Sequence, residues 1–141
     1  MKSAIFTDPN GEKKIISDVN LLKSLIIDNC MNYWMQGSGD GFIDFHENDV
    51  KRSTLMIGPN IKYGLYLHYI DHSKHIDLLS LNDENKLAEV AETAEEIYAS
   101  IGLFLPIELA WEGILDFIET GKASPKIKWI TPEDIPEDGN W

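Results

Sequence analysis

The spacing of apolar residues changes along the chain, and these changes predict its secondary structure. Short apolar-rich runs at residues 3–7 and 12–16 flank the sequence DPNG, whose residues favour a turn, so we expect a β-hairpin there. Ser17 is expected to N-cap a helix, in which apolar residues recur at three- and four-residue steps at Val19, Leu22, Leu25 and Ile26. Cys30, near the end of this helix, is predicted to be a small core residue.

Between Tyr33 and Leu81 the apolar residues recur with a period of two. The runs GFIDFHE, STLMIG, YGLYLHYI and HIDLLSL are separated by turn-forming residues, which predicts an antiparallel meander. In the first run, alternation places Phe42, Asp44 and His46 on one face of the strand. The opposite face then carries Ile43, Phe45 and Glu47.

Residues 84–102 allow two interpretations. The apolar residues fit one face of a helix, namely Leu87, Val90, Ala91, Ala94, Ile97, Tyr98 and Ile101. The same segment also divides into two short strands around the sequence ETAEE. Periodicity alone favours the helix.

The clearest predicted element is a helix in the region of the sequence IELAWEGILDFIETG, residues 107–121. Pro106 suits its first position, and Gly121 suits the residue just past its end. Gly113 is unfavourable inside a helix, so we expect close packing against it. The predicted buried face comprises Ile107, Ala110, Trp111, Ile114, Phe117 and Ile118.

Together these elements predict an α+β fold, an antiparallel sheet with two main helices packed on one face. A further short strand is expected at IKWI, residues 127–130. The length of 141 residues is ordinary for one hydrophobic core, and no linker or internal repeat divides the chain. We therefore expect residues 1–141 to form a single domain.

Charge is unevenly distributed and narrows the expected partners. The formal net charge is −12, and residues 83–121 hold ten acidic residues against Lys86 alone. Nucleic acids and anionic membranes attract basic surfaces, so neither is an expected partner. The sequence instead favours a cationic partner, or high solubility alone.

The predicted last helix carries four carboxylates at helical spacing, Glu108, Glu112, Asp116 and Glu119, which we call the acidic stripe. Like charges four residues apart repel by roughly 0.2–0.5 kcal/mol per pair, and no lysine or arginine is interleaved. Carboxylates that meet arginine or lysine across an interface speed association and select the partner. The acidic stripe is therefore the first candidate for a partner-binding surface.

Other residues are also candidates for the same interface. Aromatic side chains anchor interfaces, and Tyr33, Trp34 and Trp141 are expected to be exposed. A second candidate surface is the sheet edge near Asp40 and Asp44. The sequence does not choose between this edge and the acidic stripe, and it leaves the oligomeric state open.

Cysteine content and hydropathy bear on the compartment. Cys30 is the only cysteine, so no disulfide can form within the chain. No signal-peptide core is visible, and no apolar run approaches the ~18 residues that span a bilayer. We expect a cytoplasmic protein.

The sequence offers one alternative with chemistry of its own, a small metal-dependent hydrolase. His68, His72 and His75 lie within a short segment, but they straddle a predicted turn, and a zinc site needs convergent ligands. The loop GSGDG at 37–41 leads into a strand rather than a helix, which does not suit phosphate binding. We expect no cofactor and no catalysis, and a generic interaction domain remains a further alternative.

Residues 102–130, GLFLPIELAWEGILDFIETGKASPKIKWI, resemble the C-terminal signature of a family of bacterial immunity proteins. The family is the one numbered first among the immunity proteins of polymorphic toxin systems, often encoded beside deaminase toxins. Its signature has a proline entering a helix, a hydrophobic pair, a phenylalanine before ETG and a short strand with tryptophan. The matching positions are Pro106, Ala110 with Trp111, Phe117 with Gly121, and Trp129.

The resemblance implies a function as well as a fold. It implies that residues 87–101 are strands that complete the sheet, against their helical period. It also implies a protein that binds and occludes a cognate toxin domain of deaminase or nuclease type, which is expected to be basic. The matching positions look structural, and the resemblance supplies no catalytic residues.

Overall fold

A computed structural model of the chain describes residues 1–34, 37, 39–94 and 97–141, without the side chains of Cys30, Met31 and Ala94. The predicted core position of Cys30 lies outside this description. The predicted turns at 37–41 and 92–96 also fall partly outside the described residues.

An eight-stranded antiparallel sheet forms the framework, and a separate hairpin lies on it. The strands are β1 (Lys2–Thr7), β2 (Lys13–Ile15), β3 (Gly41–Glu47), β4 (Val50–Asn60), β5 (Gly64–Asp71), β6 (Ile76–Leu81), β7 (Val90–Ala94), β8 (Ile97–Ser100), β9 (Phe104–Leu105) and β10 (Lys128–Ile130). The order in the large sheet is β10-β6-β5-β4-β3-β1-β2, with β9 paired to β5. The predicted first hairpin and the meander are confirmed.

The first helical segment differs from its prediction in its N-cap residue and in where it ends. It consists of α1 (Val19–Lys23), a π-helical turn (Ser24–Asp28) and α2 (Cys30–Trp34). Asp18, not Ser17, is the N-cap, because its carboxylate accepts hydrogen bonds from the backbone N–H groups of Asn20 (2.9 Å) and Leu21 (3.4 Å). Tyr33 and Trp34 belong to α2, so the strand period begins later than predicted.

Both helical segments pack on one face of the sheet, which confirms the α+β architecture. The second segment is α3 (Ile107–Thr120). Ile43 and Phe45 of β3 point toward the helices, as alternation predicts. The helices contribute buried residues to the same core: Leu22, Ile26, Trp34, Ala110, Ile114 and Phe117.

The opposite face, which we call the second face, carries the β7–β8 hairpin. These two strands confirm the division of the segment into two short strands, and the helical interpretation of residues 84–102 is wrong. They form their own sheet, so the expectation that they complete the large sheet is also wrong. A helical face would have buried Ile97 and Tyr98, yet these are 52% and 48% exposed. Ala99 is buried instead, in a second small core with Leu79 and Phe104.

Two glycines determine how α3 fits against the sheet. Gly113 is buried, and a Cβ there would collide with Ile127 and press on Leu67, which confirms the predicted close packing. Gly121 ends the helix with φ of 70°, as a left-handed C-cap, and its Cβ would overlap the ring of Phe45. None of the described helices has the length and apolar character to cross a membrane.

Replacing Gly121 by alanine should destabilise the fold more than the same change at Gly11. Both residues have positive φ, but a Cβ at Gly11 meets nothing within 4 Å. We expect a loss of about 1 kcal/mol for Gly11→Ala, from backbone strain alone. Gly121→Ala adds overpacking against Phe45 and should lose about 3 kcal/mol or more. Urea unfolding measures both, and equal losses would contradict the packing assigned to Gly121.

Candidate functional site

The acidic stripe is present on α3 and faces outward. At 3.6 residues per turn its four carboxylates fall within an arc of roughly 80°, and the stripe runs about 16 Å along the helix. Glu108, Glu112 and Glu119, the stripe glutamates, are exposed, whereas Asp116 is half-buried. The buried residues of α3 lie on its opposite side, against the sheet. Packing of the helix therefore leaves the stripe glutamates in solvent.

The charge of the stripe glutamates is not neutralised within the described part of the chain. None of the lysine–carboxylate ion pairs found there involves Glu108, Glu112 or Glu119. The only arginine, Arg52, lines a separate polar cleft of about 320 Å³ together with Lys2 and Lys122. Among the described residues, therefore, no basic group pairs with the three like charges on this helix face.

Asp116 differs from the other members of the acidic stripe because it is engaged inside the chain. Its carboxylate accepts a hydrogen bond from Ser124 Oγ (2.6 Å) and pairs with Lys126 Nζ (3.6 Å). The Trp129 indole N–H donates to the Ser124 carbonyl (2.8 Å). These contacts connect α3 to the segment that leads into β10. We therefore assign Asp116 a structural role and exclude it from the candidate surface.

Trp34 is buried, so the prediction that it is exposed is wrong, and it cannot anchor a partner. It is 4% exposed, and its indole N–H donates to the carbonyl of Ile26 (3.1 Å). The helical conformation of α2 turns the ring into the core, where it meets Tyr33 edge-on at 5.4 Å. Tyr33 is half-buried, and burial raises its pKa to about 12 with help from the charges of Asp8 and Glu12. Trp141 is 45% exposed, as predicted.

Asp44 is buried, so the prediction that it lies on an exposed sheet edge is also wrong. It lies on β3, between β1 and β4, and is 8% exposed, so it is neither at a sheet edge nor accessible. Its carboxylate accepts a hydrogen bond from Thr54 Oγ1 (2.6 Å). Thr54 Oγ1 also lies 2.8 Å from His72 Nε2. Because a hydroxyl carries one hydrogen, His72 must donate at Nε2. Asp40, just before β3, is half-buried and lines a cleft on the second face.

The three histidines of the hydrolase alternative are not brought together. His68 Nε2 bonds to Asp77 (2.9 Å), and His72 bonds to Thr54. His75 is exposed in the turn between β5 and β6, with φ of 55°. Among the described residues no three histidine, cysteine or acidic side chains are grouped as a metal site requires. The hydrolase alternative loses its geometric basis.

An aromatic residue, Trp111, lies beside the acidic stripe. The prediction that it is buried is only partly met, because it is partly buried on the margin of the apolar face of α3. Leu115, one turn further along, is also partly exposed. Their position next to the carboxylates could have been found by plotting the helix around its axis, because both fall between the core-facing and acidic sides.

Comparison of the chain with known proteins identifies no relative. No protein-family model, no curated protein and no solved structure matches the chain. The resemblance of residues 102–130 to an immunity-protein signature therefore stays a prediction.

Substitutions in α3 should separate structural from exposed carboxylates. Asp116→Ala removes the acceptor of a charge-assisted hydrogen bond and should cost about 1.5–3 kcal/mol of folding stability. Glu112→Ala, on the same helix face, should change stability by less than about 0.5 kcal/mol. Thermal and urea unfolding of the two variants provide the comparison. A neutral Asp116→Ala would contradict the role given to Ser124 and Lys126.

Proposed function

We propose that the chain is an immunity protein that binds a cognate bacterial toxin domain, of deaminase or nuclease type, and occludes its active surface. The observation that carries the proposal is the row of exposed, uncompensated stripe glutamates on α3. The resemblance of residues 102–130 supports the same function. The proposal places this binding in the cytosol and assigns no catalysis and no cofactor to the chain.

The physical argument is one of charge complementarity. Toxins that act on nucleic acid need a basic surface to hold the phosphate backbone. A helix face with three uncompensated carboxylates matches such a surface, steers its approach and disfavours acidic partners. Binding would also relieve the like-charge repulsion along the helix.

Charge alone does not hold a complex together, so the proposal also needs an apolar anchor. Specific interfaces bury on the order of 800 Å² per partner and draw most of their affinity from a few aromatic or arginine residues. Trp111 and Leu115 border the acidic stripe and are partly exposed. We assign them the anchoring role that Trp34, being buried, cannot fill.

Protection of cells tests the function itself. The toxin is taken as the product of the reading frame immediately upstream, produced from an inducible promoter in a bacterial host. Co-production of the intact chain should restore growth, and the two proteins should co-purify. Absence of both protection and co-purification would contradict the immunity function.

Association kinetics test the surface. Glu108, Glu112 and Glu119 are changed together to glutamine in one variant. A matched control changes three exposed glutamates elsewhere, Glu84, Glu133 and Glu137. At low salt the stripe variant should associate roughly 10-fold more slowly, while the control loses much less. Association of the unaltered chain should slow as salt rises from about 0.05 to 0.5 M, where exposed charges become screened.

Stopped-flow mixing with the toxin domain measures these rates. Equal rates for the two variants, with little salt dependence, would move the interface away from α3. That outcome would leave the protection result intact, so the surface and the function can fail separately.

A further inference from the structure

A cleft lies on the second face of the sheet, opposite α3. It is bounded by β4, β5, the β7–β8 hairpin and Trp141. We call it the second-face cleft, and its walls include Met56, Tyr66, His68, Thr93, Ile97 and Trp141. Its volume of about 250 Å³ falls below the ~300–1,000 Å³ that is typical of small-molecule sites. The size therefore suits one long side chain better than a cofactor.

Hydrogen bonds fix the walls of the second-face cleft in place. Asn60 Nδ2 donates to the carbonyl of Glu92 (2.8 Å) and holds β7 over β4. The backbone N–H of Asn140 donates to Ser100 Oγ (3.0 Å), which positions the neighbouring Trp141. The Trp141 ring meets His68 edge-on at 5.3 Å. The cleft is thus built by contacts from three separate parts of the chain.

Two hydroxyl groups in this cleft lack hydrogen-bond partners. Tyr66 is 7% exposed, and neither its OH nor the buried Oγ1 of Thr93 bonds to any described residue. Thr93 lies directly over Gly58, where any larger residue would displace it. A buried polar group without a partner opposes folding, so such groups are uncommon in native structures. Buried polar groups without partners are expected where a bound ligand supplies the missing hydrogen bonds.

Among the described residues, the charged side chain that lines the cleft is a carboxylate. No lysine or arginine is among the described residues that line it, whereas Asp40 is. His68, which lines the cleft, bonds to Asp77 at 2.9 Å. Burial, together with the charge of Asp77, raises the pKa of Tyr66 well above its usual value. The phenol therefore stays neutral and offers its oxygen lone pairs to a donor.

We propose that the second-face cleft binds an arginine side chain of a partner protein. The methylene stem of arginine would lie against Met56 and Ile97. Its planar guanidinium would stack on the ring of Trp141, which leaves the edge of Tyr66 free to accept a hydrogen bond. The guanidinium N–H groups would donate to Tyr66 OH and Thr93 Oγ1, which supplies the partners that these hydroxyls lack.

This site is independent of the acidic stripe. The stripe lies on α3, which packs on the first face, and the cleft opens on the other side of the sheet. Loss of binding at one site should therefore leave the other unchanged. The arginine site also does not depend on the immunity function, because the test uses the chain alone.

Titration of the isotope-labelled chain with N-acetyl-L-arginine amide, followed by NMR, tests the proposal. A residue-resolved method is needed because a chain of net charge −12 also attracts cations elsewhere. We expect saturable shifts at the amides of Tyr66, His68 and Thr93 and at the Trp141 indole. The uncharged analogue N-acetyl-L-citrulline amide should bind there roughly 10-fold more weakly, because it lacks the charge.

Two variants test the assigned hydroxyls. Tyr66→Phe and Thr93→Val each remove one oxygen and should weaken arginine-amide binding by roughly 3- to 10-fold. Because the removed groups are unpartnered, the melting temperature should stay unchanged or rise by roughly 2–4 °C. Tyr98→Phe, which removes the hydroxyl of an exposed tyrosine outside the cleft, is the control and should alter neither quantity.

The outcomes separate clearly. Equal binding of the arginine and citrulline amides would show that the cleft takes a neutral group and would overturn the proposal. So would an absence of shifts at the cleft, or a clear fall in melting temperature for Tyr66→Phe, which would mean that the phenol has a structural partner.

Discussion

The close packing of α3 on the first face of the sheet determines which of its side chains reach solvent. Gly113 has no side chain to hold the helix away from Ile127 and Leu67. At the helix end, Ser53 Oγ donates to the Gly121 carbonyl (2.6 Å) and connects the helix to β4. Since the buried side of α3 is fixed in this way, its opposite side, with the stripe glutamates, is held toward solvent. A tilted or rotated helix would bury some of these charges.

Elements with local signals were predictable from the sequence. Gly121 follows the end of α3 as predicted, and Pro106 precedes its first residue as the N-cap, one position before the predicted start. Both signals act on the backbone of the residues themselves. The DPNG turn and the alternating meander are local in the same sense. The direction of Ile43 and Phe45 follows from alternation as soon as one face of the sheet is covered.

Features that depend on tertiary contacts were not predictable. The helical period of residues 84–102 was misleading because its apolar residues serve a hairpin and a second core, so Ala99 is buried while Ile97 is not. Trp34 was expected to be exposed because the sequence does not reveal that α2 turns it inward. Asp116 bonds to Ser124 and pairs with Lys126 only because the loop after α3 brings these two residues beside the helix. The sequence pattern does not reveal that loop conformation. In each case the deciding contact is made with another element of the fold.

The sheet separates two surfaces of different chemistry. On one side α3 presents charge that is exposed and adaptable, which suits rapid association. On the other side the second-face cleft presents buried hydroxyls and aromatic walls, which suit recognition of a single side chain. Carboxylates lie at both surfaces, and the partner proposed for each is cationic. The fold tolerates repulsion among the stripe glutamates on α3 and hydroxyl groups without partners in the second-face cleft.

Cross-saturation NMR on the complex of the deuterated chain with its protonated toxin domain reports directly which amides lie at the interface. If α3 carries the interface, the largest intensity losses fall at Glu108, Trp111, Glu112 and Glu119. Losses confined to residues outside α3 would contradict an interface on this helix.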